Sequence, residues 1–205
     1  MPLVIAEIGI NHGGDIKVAK EMVRAAYKAG AECVKHQTHI LDDEMTDEAK
    51  TIIPPNASIS IWDIMENSCL TMDEEEELKK YTENLGLIYL STPFSRKAAN
   101  FLAELDVLAF KIGSGEVDNL PLLRHVARFG KPMIVSTGMQ TLASLQKSVD
   151  LLREEQAEFV LLECTNLYPS PPENVSLQGI IELRNNFGVP VGFSDHSLGP
   201  TMAVA

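Results

Sequence analysis

Short β-branched apolar runs alternate along this chain with longer segments of helical periodicity, and that alternation limits the possible folds most. The runs that read as strands are LVIAEI (3–8), ECVKHQ (32–37), LIYLST (87–92), VLAFKIG (107–113), PMIVST (132–137), FVLLECT (159–165) and VPVGFSD (189–195). Between them, apolar residues recur at helical spacing near 17–29, 74–85, 96–104, 119–129, 142–155 and 176–186. Asp73, Ser95 and Thr141 stand where helix N-caps are wanted. Gly30, Gly86, Gly130 and Gly188 stand where a left-handed residue closes a helix. Strands separated by helices pair in parallel, because a parallel neighbour is reached only by a crossover. The repeat of about 25–30 residues suits a doubly wound sheet or a TIM (β/α)8 barrel.

The ends of the strands favour the barrel. Polar residues close almost every strand: Glu7, Lys35 with Gln37, Thr92, Lys111 with Ser114 and Glu116, Ser136 with Thr137, Asn166 with Tyr168, and Ser194 with Asp195 and His196. An open sheet concentrates a site at its switch point, whereas a barrel turns every strand end into one mouth. A closed barrel takes eight strands and seven are found. The expectation is therefore an α/β chain forming an incomplete (β/α)8 barrel over residues 1–205, with the eighth strand missing and PTMAVA opening the next helix. Segment 38–72, containing IIPPNASISIWDIM, reads as a long functional loop over the mouth.

Composition removes several function classes. The formal charge of −12 leaves no broad basic surface for nucleic acid or an anionic membrane, so neither is expected as a partner. No apolar run approaches the roughly 18–20 residues of a membrane span. Cys33, Cys69 and Cys164 lie far apart without a CxxC pair, which argues against a disulfide framework or a zinc site and suits a reducing cytoplasm. The acidic runs LDDEMTDEAK and MDEEEELKK read as solvated faces.

Any anion site must then be local. Lys111, in LAFKIGSGE, follows a run that reads as buried, and a buried ammonium has to be paired or neutralised. Lys35 occupies the matching place on the second strand. Hydroxyls stand on neighbouring strand ends at Thr92, Ser114, Ser136 and Ser194. Lysine supplies charge, serine and threonine supply directional hydrogen bonds, and Gly113 and Gly115 allow close backbone approach. The set describes a pocket for a small phosphate or carboxylate. The bland alternative is an ion pair of either lysine with Glu7 or Glu116, each of which could instead serve as general acid or base. His196 at the last strand end suits a metal, with His12, His36 and His39 as further candidates. His36 points away from Lys35 by strand alternation. NHGGD lacks the spacing of a phosphate loop.

AEIGINHGGD, GAECVKHQTH, STPFS, FKIGSGE, STGM, CTNLYPSP and GFSDHSLGP, in this order along the whole chain, resemble the sialic acid synthase family of N-acetylneuraminate, legionaminate and pseudaminate synthases. The resemblance covers that family's barrel only. It implies an antifreeze-like C-terminal domain beyond it and a homodimer. It also implies condensation of phosphoenolpyruvate (PEP) with an N-acetylated mannosamine-type hexosamine to a nine-carbon 2-keto acid, with phosphate released. A divalent metal, Mn²⁺ or Mg²⁺, is implied as Lewis acid. Carried over by position, Lys35, Thr92, Lys111, Ser114, Ser136, Asn166 and Ser194 would hold PEP, and His196 would bind metal. Gln37, Asn56, Glu116 and Tyr168 would contact the sugar, Glu7 would be the catalytic carboxylate near the reacting carbons, and Lys35 and Lys111 would be catalytic with it. KHQTH and IPPNAS are nearest to neuraminate synthases, so N-acetylmannosamine is expected over 2,4-diacetamido sugars.

Other functions share parts of this pattern. A Schiff-base aldolase would use Lys111 as nucleophile and need no metal. A 3-deoxy-keto acid phosphate synthase would need a second cationic pocket for its phosphorylated sugar, and only one is legible. A barrel fragment that merely binds PEP or sugar is the non-catalytic alternative.

Overall fold

The computed structural model describes residues 2–54 and 57–205. Two compact units make up the chain, Met1–Leu108 and Ala109–Ala205. In the first, strand β1 (Ile5–Gly9) pairs in parallel with β2 (Cys33–Thr38), and β2 pairs in parallel with β3 (Ile88–Pro93). Helix α1 (Ile16–Lys28) joins the first two strands. Its Asp15 side chain accepts the Lys17 N–H, and Ala19 and Val23 are buried. Helix α5 (Arg96–Glu104) follows β3 from a Ser95 cap, as expected.

The segment expected to be one long loop is partly helical. It holds α2 (Leu41–Glu44), a short 3-10 turn (Asp47–Lys50) and α3 (Ile61–Glu66) before α4 (Met72–Asn84). Ser60 caps α3 by accepting the Asp63 N–H, and Lys50 lies over the Trp62 ring at 4.4 Å. The α4 cap is Thr71 rather than Asp73. Thr71 has glutamate three residues on, so a reciprocal Thr71–Glu74 box forms and Asp73 falls inside the first turn. The acidic face of α4 is not wholly solvated either, since Glu75 is buried.

In the second unit β4 (Phe110–Ile112), β5 (Met133–Ser136), β6 (Phe159–Cys164) and β7 (Val191–Ser194) pair successively in parallel. Helices α6 (Leu120–Ala127), α7 (Leu142–Glu154) and α8 (Gln178–Phe187) form the connections, and α9 (Thr201–Val204) occupies the PTMAVA stretch. Strand β4 is shorter than its apolar run. Asp106 is left-handed (φ 54°) and the Val107 N–H closes on the Leu102 carbonyl, so 107 belongs to the end of α5. At its other end the chain turns at once, with the Glu116 N–H on the Gly113 carbonyl. Val135, Val149, Leu152 and Leu161 are fully buried in this unit. The glycines expected to close helices, at 30, 86, 130 and 188, all have positive φ. Both units are thus successive parallel βα repeats of an α/β fold. Among the described residues no helix is long and apolar enough to cross a membrane.

Candidate active site

In the first unit, register sets Glu7 opposite Lys35 and Gln37 opposite Thr92. Lys35 Nζ lies 2.7 Å from Glu7 Oε2 and donates to Thr92 Oγ1 at 3.1 Å. A lysine, a carboxylate and a hydroxyl from three strand ends thus meet at one ammonium. A bulge between Glu7 and Gly9 ends β1. Gly9 is left-handed (φ +52°), and a Cβ there would stand 3.1 Å from Glu7 Oε1. Glycine therefore both permits the turn and leaves room for the carboxylate.

Gln37 points to the same face as Lys35. Its amide oxygen lies 3.2 Å from His39 Nε2, and His39 Nδ1 lies 2.8 Å from Glu44 Oε2. The opposite face of β2 is polar too. His36 Nδ1 donates to the Gly9 carbonyl at 3.1 Å, which confirms that this histidine points away from Lys35. Behind it, Thr38 Oγ1 donates to Glu75 Oε2 at 2.7 Å, Tyr89 OH reaches the same oxygen at 3.5 Å, and His36 Nε2 is 3.6 Å from Glu75 Oε1. Glu75 is only 2 % exposed. Burial and the Glu75 charge push the Tyr89 phenol well up. Burial and the neighbouring His36 ring hold His12 down, to about 4.

In the second unit Lys111 is 5 % exposed. Its Nζ donates to the Ile112 carbonyl at 2.7 Å and to Ser136 Oγ at 2.6 Å. The ammonium faces a hydroxyl on the next strand, as Lys35 does. Ser114 Oγ accepts the Gly138 N–H at 3.0 Å and donates to Cys164 Sγ at 3.5 Å. A Cβ on Gly138 would meet Ser114 Oγ at 2.8 Å and both the carbonyl oxygen and sulfur of Cys164 at 3.1 Å. Cys164 Sγ in turn lies 3.6 Å from Asn166 Oδ1, and Ser194 is the register partner of Cys164. Glu116 Oε2 accepts from Asn119 Nδ2 at 2.7 Å, and Asn119 caps α6. This carboxylate therefore also serves the turn between β4 and α6.

His196 Nδ1 donates to the Thr165 carbonyl at 2.9 Å, so Nε2 carries the lone pair, and Tyr168 OH donates to it at 3.1 Å. That tautomer suits a metal ligand, whose second nitrogen is normally held by a carbonyl or carboxylate. His196 is one ligand only: among the described residues no group of three or more His, Cys, Asp or Glu could hold a metal ion.

Within the units, then, Glu7, Lys35 and Thr92 come together, Gln37 stands beside them, Lys111 meets Ser136, Ser114 joins the Cys164–Asn166 chain, and Tyr168 meets His196. Asn56 lies outside the described residues. The Glu44–His39 pair and the Glu75 network escaped sequence reasoning. The signal for the second was present, because His36 and Thr38 put polar atoms on the face of β2 that should meet a helix.

Residues 22–205 match the NeuB family model. The chain is 36% identical to human N-acetylneuraminate-9-phosphate synthase over 98% of its length and 57% of that protein's. It is 38% identical to the N,N'-diacetyllegionaminic acid synthase of Legionella pneumophila, over 98% of this chain and 60% of that one. A crystal structure of N-acetylneuraminic acid synthetase from Leptospira borgpetersenii, in complex with citrate, matches with a TM-score of 0.89 and 28% identity, over 98% of this chain and 67% of that one. The chain thus spans somewhat over half the length of these curated relatives.

Proposed function

The chain belongs to the NeuB family, and from that premise we propose that the protein joins PEP to the aldehyde carbon of an N-acetylated mannosamine-type sugar. Carbon 3 of PEP forms the new bond. Water adds at carbon 2, the C–O bond to phosphate breaks, and a 2-keto acid with inorganic phosphate results. The observation that carries this reading is a repeated pairing: each strand-end lysine donates to a hydroxyl on the following strand, Lys35 to Thr92 and Lys111 to Ser136. Ammonium and hydroxyl side by side are what phosphate and carboxylate oxygens require.

Lys111, Ser136, Ser114, Asn166 and Ser194 are assigned to PEP, together with Lys35 and Thr92. Glu7 is assigned the carboxylate that takes the proton of the added water, and Gln37, Asn56, Glu116 and Tyr168 the sugar. A Mn²⁺ or Mg²⁺ ion held through His196 Nε2 would polarise the aldehyde oxygen. We read the parallel βα repeats as a (β/α)8-type barrel, supported by the concentration of these residues at strand C-termini. A homodimer belongs to the same proposal.

The relatives named above make different products, so the sugar is chosen by experiment. Full-length protein with Mn²⁺ should release phosphate from PEP only when a sugar is added, and EDTA should stop it. N-acetylmannosamine is the expected acceptor, compared against its 6-phosphate and a 2,4-diacetamido sugar. No release with any of the three would overturn the synthase reading. Borohydride trapping of a carbonyl substrate on Lys111 would replace it with an aldolase.

A further inference from the structure

Among the described residues assigned to the sugar, Gln37 has an amide that is braced from behind. His39 follows the end of β2, and Glu44 ends α2. His39 Nδ1 faces both Glu44 oxygens, at 2.8 and 3.0 Å. A carboxylate only accepts, so Nδ1 donates to Glu44, and the Gln37 amide oxygen, also an acceptor, takes a hydrogen bond from Nε2 at 3.2 Å. The imidazole also stacks on Phe94, with centroids 4.3 Å apart and planes 14° from parallel. Contact on an edge, on the opposite edge and on a face allows the ring one orientation.

The pair is sheltered, with side chains 3 % and 11 % exposed. Taking a carboxylate and an imidazole out of water is costly, and apolar side chains would close a strand end more cheaply. The far end of the pair reaches Gln37. That amide's own nitrogen lies over Gly9, where a Cβ would stand 3.7 Å from it and 3.1 Å from Glu7 Oε1. The Glu44–His39–Gln37 chain therefore ends over the same glycine as the Glu7 carboxylate.

We propose that His39 and Glu44 are positioning residues that hold the Gln37 amide in the orientation in which it receives the acceptor sugar. A free glutamine would have to be ordered when sugar binds, and a braced one meets the sugar already ordered. The effect should fall on the sugar and spare PEP. This inference rests on the synthase reading and on Gln37 as a sugar contact.

The test measures phosphate release by full-length protein with Mn²⁺, varying sugar and PEP separately, alongside thermal melting. His39→Phe keeps the stack on Phe94 and removes both nitrogens. It should raise KM for the sugar about tenfold, with KM for PEP within about twofold of wild type. Glu44→Gln should shift the sugar KM the same way by less, and His39→Gln, which restores an amide partner for Gln37, should recover part of the loss. Should His39→Phe melt below the assay temperature, Glu44→Gln and His39→Gln carry the same comparison. An unchanged sugar KM in active enzyme, or equal rises for both substrates, overturns the positioning role alone. A wild-type protein that releases no phosphate with any acceptor overturns it together with the synthase reading.

Discussion

The Tyr168 hydroxyl donates to His196 Nε2 across 3.1 Å, and the two rings stack with centroids 4.1 Å apart. The tyrosine thereby occupies the lone pair that a metal would use, while Thr165 fixes the tautomer from the other side. Tyr168→Phe removes a competitor worth about 1 kcal/mol. Mn²⁺ should bind the full-length variant several-fold more tightly, measured by the free-ion EPR signal. Equal or weaker binding would show that the hydroxyl does not compete.

Lys111 and Ser136, joined by a 2.6 Å hydrogen bond, let charge and hydrogen bonding be tested separately in the proposed PEP site. Lys111→Ala should abolish PEP turnover while the far-ultraviolet circular dichroism is kept. Ser136→Ala removes one hydrogen bond and should raise KM for PEP by about tenfold, the equivalent of about 1.4 kcal/mol. Near-normal turnover in Lys111→Ala would end the anion-pocket assignment.

Glu75 should matter to stability out of proportion to its place in an acidic run. Replacing it with leucine removes the acceptor that the Thr38 hydroxyl reaches at 2.7 Å, leaving Thr38 to Ser91 Oγ at 2.7 Å, and removes the acceptor facing His36. The expected loss is about 3 kcal/mol, read from the urea midpoint. Glu76→Gln on the exposed side of the same helix should change stability by no more than about 0.5 kcal/mol.

His12 predicts an acid-side loss of stability. Its imidazole takes a proton near 6.5 when unfolded and near 4 in the fold, because burial and His36 outweigh the pull of the Gly9 carbonyl, Asp15 and Glu74. Between those values the unfolded chain binds more protons, so stability falls as pH drops from about 6.5 towards 4. The contribution is about 3 kcal/mol when complete. Denaturation midpoints across that window should fall less steeply in His12→Asn.

Strand alternation made much of this legible. It placed Lys35 and Gln37 on one face of β2 and His36 on the other, and capping residues at 95 and 141 marked their helices. What failed was local competition. Thr71 displaced Asp73 as a cap because its box partner, Glu74, was at the right spacing. Strand β4 shrank because the end of α5 claimed Val107. The short helices α2 and α3 have too few residues to show a period. Glu75 and Glu44 look like solvent-facing acids in sequence, since burial of one acid in a run depends on partners far along the chain.

Gly138 sits where a single methyl would collide with Ser114 Oγ and with Cys164 at once. Position 138 therefore works as a marker when related sequences are compared. A chain with a side chain there must have turned away or lost the Ser114 hydroxyl and eased the end of β6 by a few tenths of an ångström. In such a chain the proposed anion pocket should be rearranged around Ser114, however well its lysines align.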